Sequence, residues 1–258
     1  MSAYVLKLIA IITMLFDHSG YLIYGHLSWM NFVGRIAFPI FAFQISEGYI
    51  HTHNLKKYFV RLIIFALISQ IPYAWFGYCF FSKMSLNIIF TLILGLLSIS
   101  IYEFIISKGT VHCTPTSNCN FSSTVEQNNN NNISEGSNIF QYKLLGIIIV
   151  LIIAVFADIF GFDYGFYGVF IIFLFYLYRN NKLSMNIAIT ILTFIYYTPY
   201  FMASNFKINY IGLFICSLIP LIFINLYNGQ KGKDHKMLFY IFYPVHLLVL
   251  CFIYILLH

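Results

Sequence analysis

Apolar residues run along the chain in blocks of about 16–23, broken by short polar links. Each block is long enough to cross a bilayer as a helix. Nine such spans are predicted, near 4–24, 31–50, 57–77, 86–107, 142–160, 164–179, 185–201, 207–227 and 237–257. Strands of a membrane barrel would be half this length and would alternate in polarity, which these blocks do not. The fold class is therefore all-α, a single polytopic transmembrane helix bundle over residues 1–258. One stretch breaks the pattern. Residues 109–138 are rich in Asn and Ser, with five consecutive asparagines, and read as a disordered asparagine-rich loop inside the one domain.

Composition agrees with the pattern. The chain is 60% hydrophobic, 20% aromatic and 9% charged, with a mean hydropathy of +0.83. Soluble domains carry about 25% charged residues, so a soluble fold is excluded and a multi-pass protein of the cell membrane, in contact with the lipid bilayer, is expected. The formal charge of +6 reads as a topology signal. Lys56, Lys57, Arg61, Lys108, Lys143, Arg179, Lys182, Lys231, Lys233 and Lys236 all fall on one side of a nine-span chain, against Lys83 and Lys207 on the other. The positive-inside rule places that side, with the N-terminus and the asparagine-rich loop, in the cytoplasm. No basic face interleaved with aromatics stands out, and nucleic acid is not expected as a partner. The apolar run after Lys7 lacks a small-residue cleavage site and reads as an uncleaved first helix. The five cysteines show neither CxxC nor a Cys/His metal spacing, so neither a bound metal nor a structural disulfide is expected.

Candidate chemistry lies in the polar residues that the spans carry inward. Asp17 and His18 interrupt the first span, where a charge costs roughly 2.5–3.5 kcal/mol on insertion scales. Arg35 in the second span falls within about 6 Å of the depth of Asp17 if the two spans form a hairpin. An Asp17–Arg35 ion pair follows, either fixing helix packing or steadying a site. His18 sits too deep to reach the surface, and His246, two residues after Pro244, lies at comparable depth in the last span. Gly34 and Pro39 suggest a bent second helix. Glu47 and His51 share a helix face, and Glu47 should meet Arg61 at equal depth across the next link, with His51 beside the bridge. Asn87, Thr91, Gly95 and Ser98 form a small, polar stripe of the kind that packs helices. Asp158 and Asp163 sit near one end, and "DYG" at Asp163–Gly165 reads as a helix cap. Tyr243 completes the set. On these residues alone an enzyme, a proton-coupled transporter and a non-catalytic assembly scaffold all stand open.

The motifs "LKLIAIITMLFDHSG", "GRIAFPIFAFQISEGYIHTHNLKKYFVRL", "ISQIPY", "LNIIFTLILGLL", "DYGFYGV" and "FYIFYPVHLL" together resemble the TraX family of integral-membrane proteins. The resemblance covers nearly the whole chain outside the asparagine-rich loop. That family is named for a conjugation protein that acetylates the N-terminus of pilin. The resemblance implies a membrane-embedded acetyltransferase taking its acetyl group from cytosolic acetyl-CoA, the one cofactor expected. The acceptor would be a protein N-terminus, a glycan or a small molecule. His18 would act as general base or acyl acceptor, with Asp17, Arg35 and His246 around it. Arg35, Asn87 or Tyr243 would face the developing oxyanion, while Lys57 and Arg61, with Glu47, His51 and Asp163, would bind substrate or cofactor.

Overall fold

The computed structural model describes residues 1–81, 85–111, 128–205, 207–233 and 236–257. Ten helices are found among them: α1 (Ala3–Tyr24), α2 (Trp29–Gly34), α3 (Ala37–His51), α4 (Leu55–Phe81), α5 (Ile88–Val111), α6 (Asn128–Ile159), α7 (Gly165–Leu177), α8 (Lys182–Ala203), α9 (Ile208–Asn225) and α10 (Lys236–Leu257). Seven of these are long and apolar enough to cross a membrane by length and composition. The predicted disordered loop at 109–138 lies outside the described residues over 112–127, as do Lys83, Cys113 and Cys119. Among the described residues, no group of three or more His, Cys, Asp or Glu side chains could hold a metal ion.

Two of the predicted spans take other forms. The block at 31–50 is two helices, because the chain turns at Arg35 and Ile36 between α2 and α3. Pro39 falls in the first turn of α3, where its missing N–H leaves no helical bond unmade. The bend expected of this span is a tightened turn at Arg35 and Ile36, both of which keep right-handed helical backbone angles, just before the proline. The block at 164–179 is the short helix α7, about 20 Å long at 1.5 Å per residue. Most of α7 is buried, between α3, α5, α6 and α8. Surrounded by protein, it has little lipid to face.

Side-chain and backbone contacts sort the links into two ends. Backbone N–H groups of Ala3 and Tyr4 donate to the carbonyls of Gln230 (2.8 Å) and Lys231 (3.1 Å), and the Lys182 ammonium donates to the Asn225 carbonyl (2.8 Å). Arg61 donates through Nε to the Tyr240 hydroxyl at 3.1 Å. The N-terminus thus shares one end with the α3–α4, α7–α8 and α9–α10 links, in or directly beside which lie Lys56, Lys57, Arg179, Lys182, Lys231 and Lys233. At the other end the α4–α5 and α6–α7 links meet, through a parallel bridge between Leu86 and Phe162.

The α5 stripe is a packing seam. Asn87, Thr91 and Ser98 are buried. A Cβ on Gly95 would come within 2.3 Å of Ile172, and one on Gly168 within 2.4 Å of Thr91. Asn87 donates both side-chain N–H groups, to the Ala66 carbonyl (2.8 Å) and Gln70 Oε1 (2.9 Å), and its Oδ1 accepts from the Ile89 N–H (3.0 Å). The expected oxyanion role for Asn87 is therefore corrected, since both donors are spent on tying α4 to the start of α5. Asn87→Ala removes the ties to the Ala66 carbonyl and the Ile89 N–H, at a cost of about 1–3 kcal/mol, while Gln70 Oε1 keeps the Asn87 backbone N–H (3.0 Å). A clear drop in melting temperature is expected in a thermal-shift assay, with substrate affinity unchanged in the protein that remains folded.

Candidate functional site

At the middle of the bundle, α1 and α10 bring two histidines together. His18 Nδ1 lies 2.8 Å from His246 Nε2, and His246 Nδ1 lies 2.8 Å from the carbonyl oxygen of Phe242, one turn earlier on α10. A carbonyl only accepts, so neutral His246 carries its proton on Nδ1 and presents a lone pair at Nε2. His18 must then donate its own Nδ1–H into that lone pair. The chain of two hydrogen bonds leaves His18 Nε2 as the unprotonated nitrogen. Rings hold the pair in place, with Phe76 edge-on to His18 at 5.0 Å and Phe242 stacked on His246 at 5.0 Å. His18 is sixteen residues into α1, about 22 Å along the helix from Ala3 at 1.5 Å per residue.

One residue away, Asp17 faces the α2–α3 turn. Arg35 Nη2 is 3.4 Å from Asp17 Oδ1, and their side chains are 20% and 17% exposed. Arg35 Nη1 donates to the Tyr164 hydroxyl at 3.1 Å, while its Nε is buried with no hydrogen-bond partner. Asn31 closes the other side, donating to the Asp17 carbonyl (2.9 Å) and to Oδ1 (3.1 Å). The chain reaches this geometry because Gly34 lets α2 lie directly on α1. A Cβ there would sit 2.3 Å from the Asp17 Cβ. Gly34→Ala is expected to push α2 away, costing about 1–3 kcal/mol and lowering the yield of folded protein in size-exclusion chromatography.

The α6–α7 link adds a second carboxylate. Asp163 is held by its backbone, its N–H donating to the Leu86 carbonyl (3.1 Å) and its carbonyl accepting from the Thr91 hydroxyl. Burial pushes its carboxyl up to about 6, with the charge of Arg35 pulling the other way and the Tyr73 hydroxyl hydrogen-bonded to it. Tyr243 lies in this neighbourhood, 5.7 Å ring to ring from His246. The helix cap expected of "DYG" falls on its tyrosine and not on its aspartate. Tyr164 takes the N-cap position in a left-handed conformation (φ 60°), and Asp158 Oδ1 accepts from the Phe166 N–H at 3.1 Å. A non-glycine residue in that conformation is uncommon, and its consequence is to stack Tyr164 on Phe38 at 4.0 Å and aim its hydroxyl at Arg35.

Asp17, His18, Arg35, Asp163, Tyr243 and His246 thus form one centre. Glu47, His51, Lys57 and Arg61 belong to the basic end instead. Glu47 pairs with His51 at 3.5 Å, whereas Arg61 turns to Tyr240 and to the face of Tyr58, 5.4 Å away. The predicted Glu47–Arg61 bridge is not formed, because Tyr240 on α10 offers Arg61 a nearer partner. Lys56, Lys57 and Arg61 line a groove of about 330 Å³ on α4. Sequence reasoning missed Asn31 and the tyrosines Tyr21, Tyr73, Tyr164, Tyr196 and Tyr197 around the centre. Only the high tyrosine content hinted at them.

The fold and the buried centre define a polytopic integral membrane protein that keeps paired charges and a histidine pair away from lipid. Comparison places it in a family: the TraX protein family matches residues 2–254, and the chain belongs to it. It is similar to the probable fimbrial assembly protein FimC, serogroup H1, of Dichelobacter nodosus, 29% identical over 97% of this chain and 94% of that one. It also resembles the uncharacterized protein RP591 of Rickettsia prowazekii (strain Madrid E), 36% identical over 35% of this chain and 33% of that one. No solved structure matches.

Proposed function

We propose that the protein is a membrane-embedded acetyltransferase, moving an acetyl group from acetyl-CoA to an amine or hydroxyl acceptor, with His18 Nε2 as the general base. The observation that carries this reading is the hydrogen-bond chain Phe242 carbonyl–His246–His18, which fixes the His18 tautomer and leaves one basic nitrogen. An amine of pKa near 8 is mostly protonated at neutral pH, and a hydroxyl is a weaker nucleophile still. Either gains from a positioned base. An amine acceptor first gives its ammonium proton to solvent; His18 Nε2 then takes one proton from the neutral amine or hydroxyl as its nitrogen or oxygen attacks the thioester carbon. The carbon–sulfur bond then breaks, and the departing thiolate takes the proton back from His18. The same lone pair would form the new bond if transfer ran through an acyl-histidine. The Arg35 guanidinium, with an unpartnered Nε–H, is the group best suited to oppose negative charge on the thioester oxygen.

The basic end suits the donor. By the positive-inside rule it faces the cytoplasm, where the phosphates of acetyl-CoA would meet Lys56, Lys57 and Arg61. Arg61 is anchored on Tyr240, six residues before His246 and thus about 9 Å from it along α10. The α4–α10 interface runs between the phosphate groove and the histidine pair, and the donor's thioester arm would lie along it. Purified protein in lipid, given acetyl-labelled CoA and an envelope extract, is expected to release free CoA thiol and to label an amine or hydroxyl product. Uptake of a substrate into proteoliposomes with no covalent change would overturn the reading. Likeness to a probable fimbrial assembly protein of Dichelobacter nodosus favours a second reading, a part in fimbrial assembly, to which acetylation of an assembling subunit would also contribute.

A further inference from the structure

At the end opposite the basic links lies a second opening, of about 390 Å³, lined by Tyr200, Ser204, Lys207, Asn209 and Tyr210 from α8, α9 and the link between them, with the apolar Ala203 and, from the α1–α2 link, Leu27. Tyrosine rings lead inward from it. Tyr200 stacks on Tyr210 at 5.9 Å and contacts Tyr196 at 5.9 Å. Tyr196 in turn stacks on Tyr167 at 4.4 Å and on Tyr164 at 6.5 Å. Tyr164 ends the run with its hydroxyl on Arg35, beside the unpartnered Nε–H. A continuous run of packed tyrosine rings therefore couples the outer opening to Arg35, and no donor-side residue of the basic end belongs to it.

We propose that this opening is the acceptor site and that its occupant is a carbohydrate. The inference rests on the acetyltransferase reading and names its acceptor class. Flat tyrosine faces receive the C–H faces of a sugar ring, and tyrosine, serine and asparagine side chains both donate and accept hydrogen bonds, as sugar hydroxyls require. The charge at the opening argues against a free protein N-terminus. Its single charged lining residue is Lys207, which repels an α-ammonium and has no carboxylate beside it in the lining. A sugar hydroxyl also needs a positioned base more than an amine does, since it has no lone pair of comparable basicity.

The test uses full-length protein in lipid nanodiscs and two probes, the deproteinised envelope polysaccharide of the producing cell and an apolar peptide with a free α-amine. Polysaccharide binding is expected without acetyl-CoA. Removing one stacking ring, by Tyr200→Ala or Tyr210→Ala, is expected to weaken it about tenfold, with Tyr200→Phe retaining most of it. Tyr200 is 44% exposed, so its replacement leaves the fold intact. Polysaccharide binding that depends on Tyr200, with no CoA release from acetyl-CoA, would keep the site and remove the acetyltransferase reading. Acetylation of the peptide, unaffected by Tyr200→Ala and without polysaccharide binding, would keep that reading and overturn the carbohydrate site. Absence of both binding and turnover would overturn the two together.

Discussion

Replacing His18 by alanine is expected to lower acetyl transfer by about 10²–10⁴-fold, the usual contribution of a positioned general base. The variant should still fold. The ring makes one hydrogen bond, to His246, and packs edge-on to Phe76, so its removal opens a small polar space without stranding a charge. His246→Ala should cost less. It removes the acceptor that fixes the His18 tautomer, yet leaves the basic nitrogen in place to find its orientation part of the time. The two losses should therefore not add, because both act through the same nitrogen. In a His18→Gly variant, free imidazole added to the assay should restore part of the rate. Activity that survives in both single variants and in the double variant would contradict the mechanism. Release of CoA thiol, measured beside circular dichroism of each variant, separates chemistry from folding.

Breaking the Asp17–Arg35 pair should have the largest effect on stability. Asp17→Asn leaves the Arg35 guanidinium largely buried with only tyrosine hydroxyls and the neighbouring Asp163 to face, and Arg35→Gln strands Asp17 beside Asn31. Removal of one partner from a buried pair costs about 3–5 kcal/mol, and the low exposure of both side chains limits solvent screening here. The double variant should recover part of the stability, since neither charge is then left alone. It should not recover acetyl transfer, because the group opposing the oxyanion is gone. A double variant restored in both stability and activity would mean that the pair only packs helices, which is the scaffold reading. Thermal unfolding of the four proteins, with CoA release measured on each, gives the cycle.

The helices were legible because lipid demands them. Blocks such as 57–77 and 237–257 had to be helical for their backbone groups to be satisfied, and they are. The tightened turn at Arg35 and Ile36 was less visible. Hydropathy reports how apolar a segment is and says little about whether one helix or two carry it, and Pro39 drew attention to the wrong turn. Equal depth in a hairpin brought Arg35 to Asp17, a contact between neighbouring segments. The same logic failed for Glu47 and Arg61, because Tyr240 arrives from a helix nearly 180 residues away in the chain. The tyrosines around Arg35 share that limitation. Periodicity tells which face of α8 holds Tyr196 and Tyr200, but their meeting with Tyr164 depends on how α7 and α8 pack. The His18–His246 contact lay between these cases, since comparable depth suggested it and only the fold could provide the 2.8 Å bond.

The central claim is that His18 presents an unprotonated Nε2 because His246 and the Phe242 carbonyl hold its proton on Nδ1. Nitrogen-15 NMR of selectively labelled histidine in the protein in lipid reads this directly, with His18→Ala and His246→Ala spectra assigning the signals. The expected spectrum shows both residues protonated at Nδ1 near neutral pH, with the His18 Nε2 resonance that of a bare ring nitrogen and lost in His18→Ala. A proton on His18 Nε2, with Nδ1 as acceptor from a His246 Nε2–H, would reverse the chain and leave no base where the account requires one.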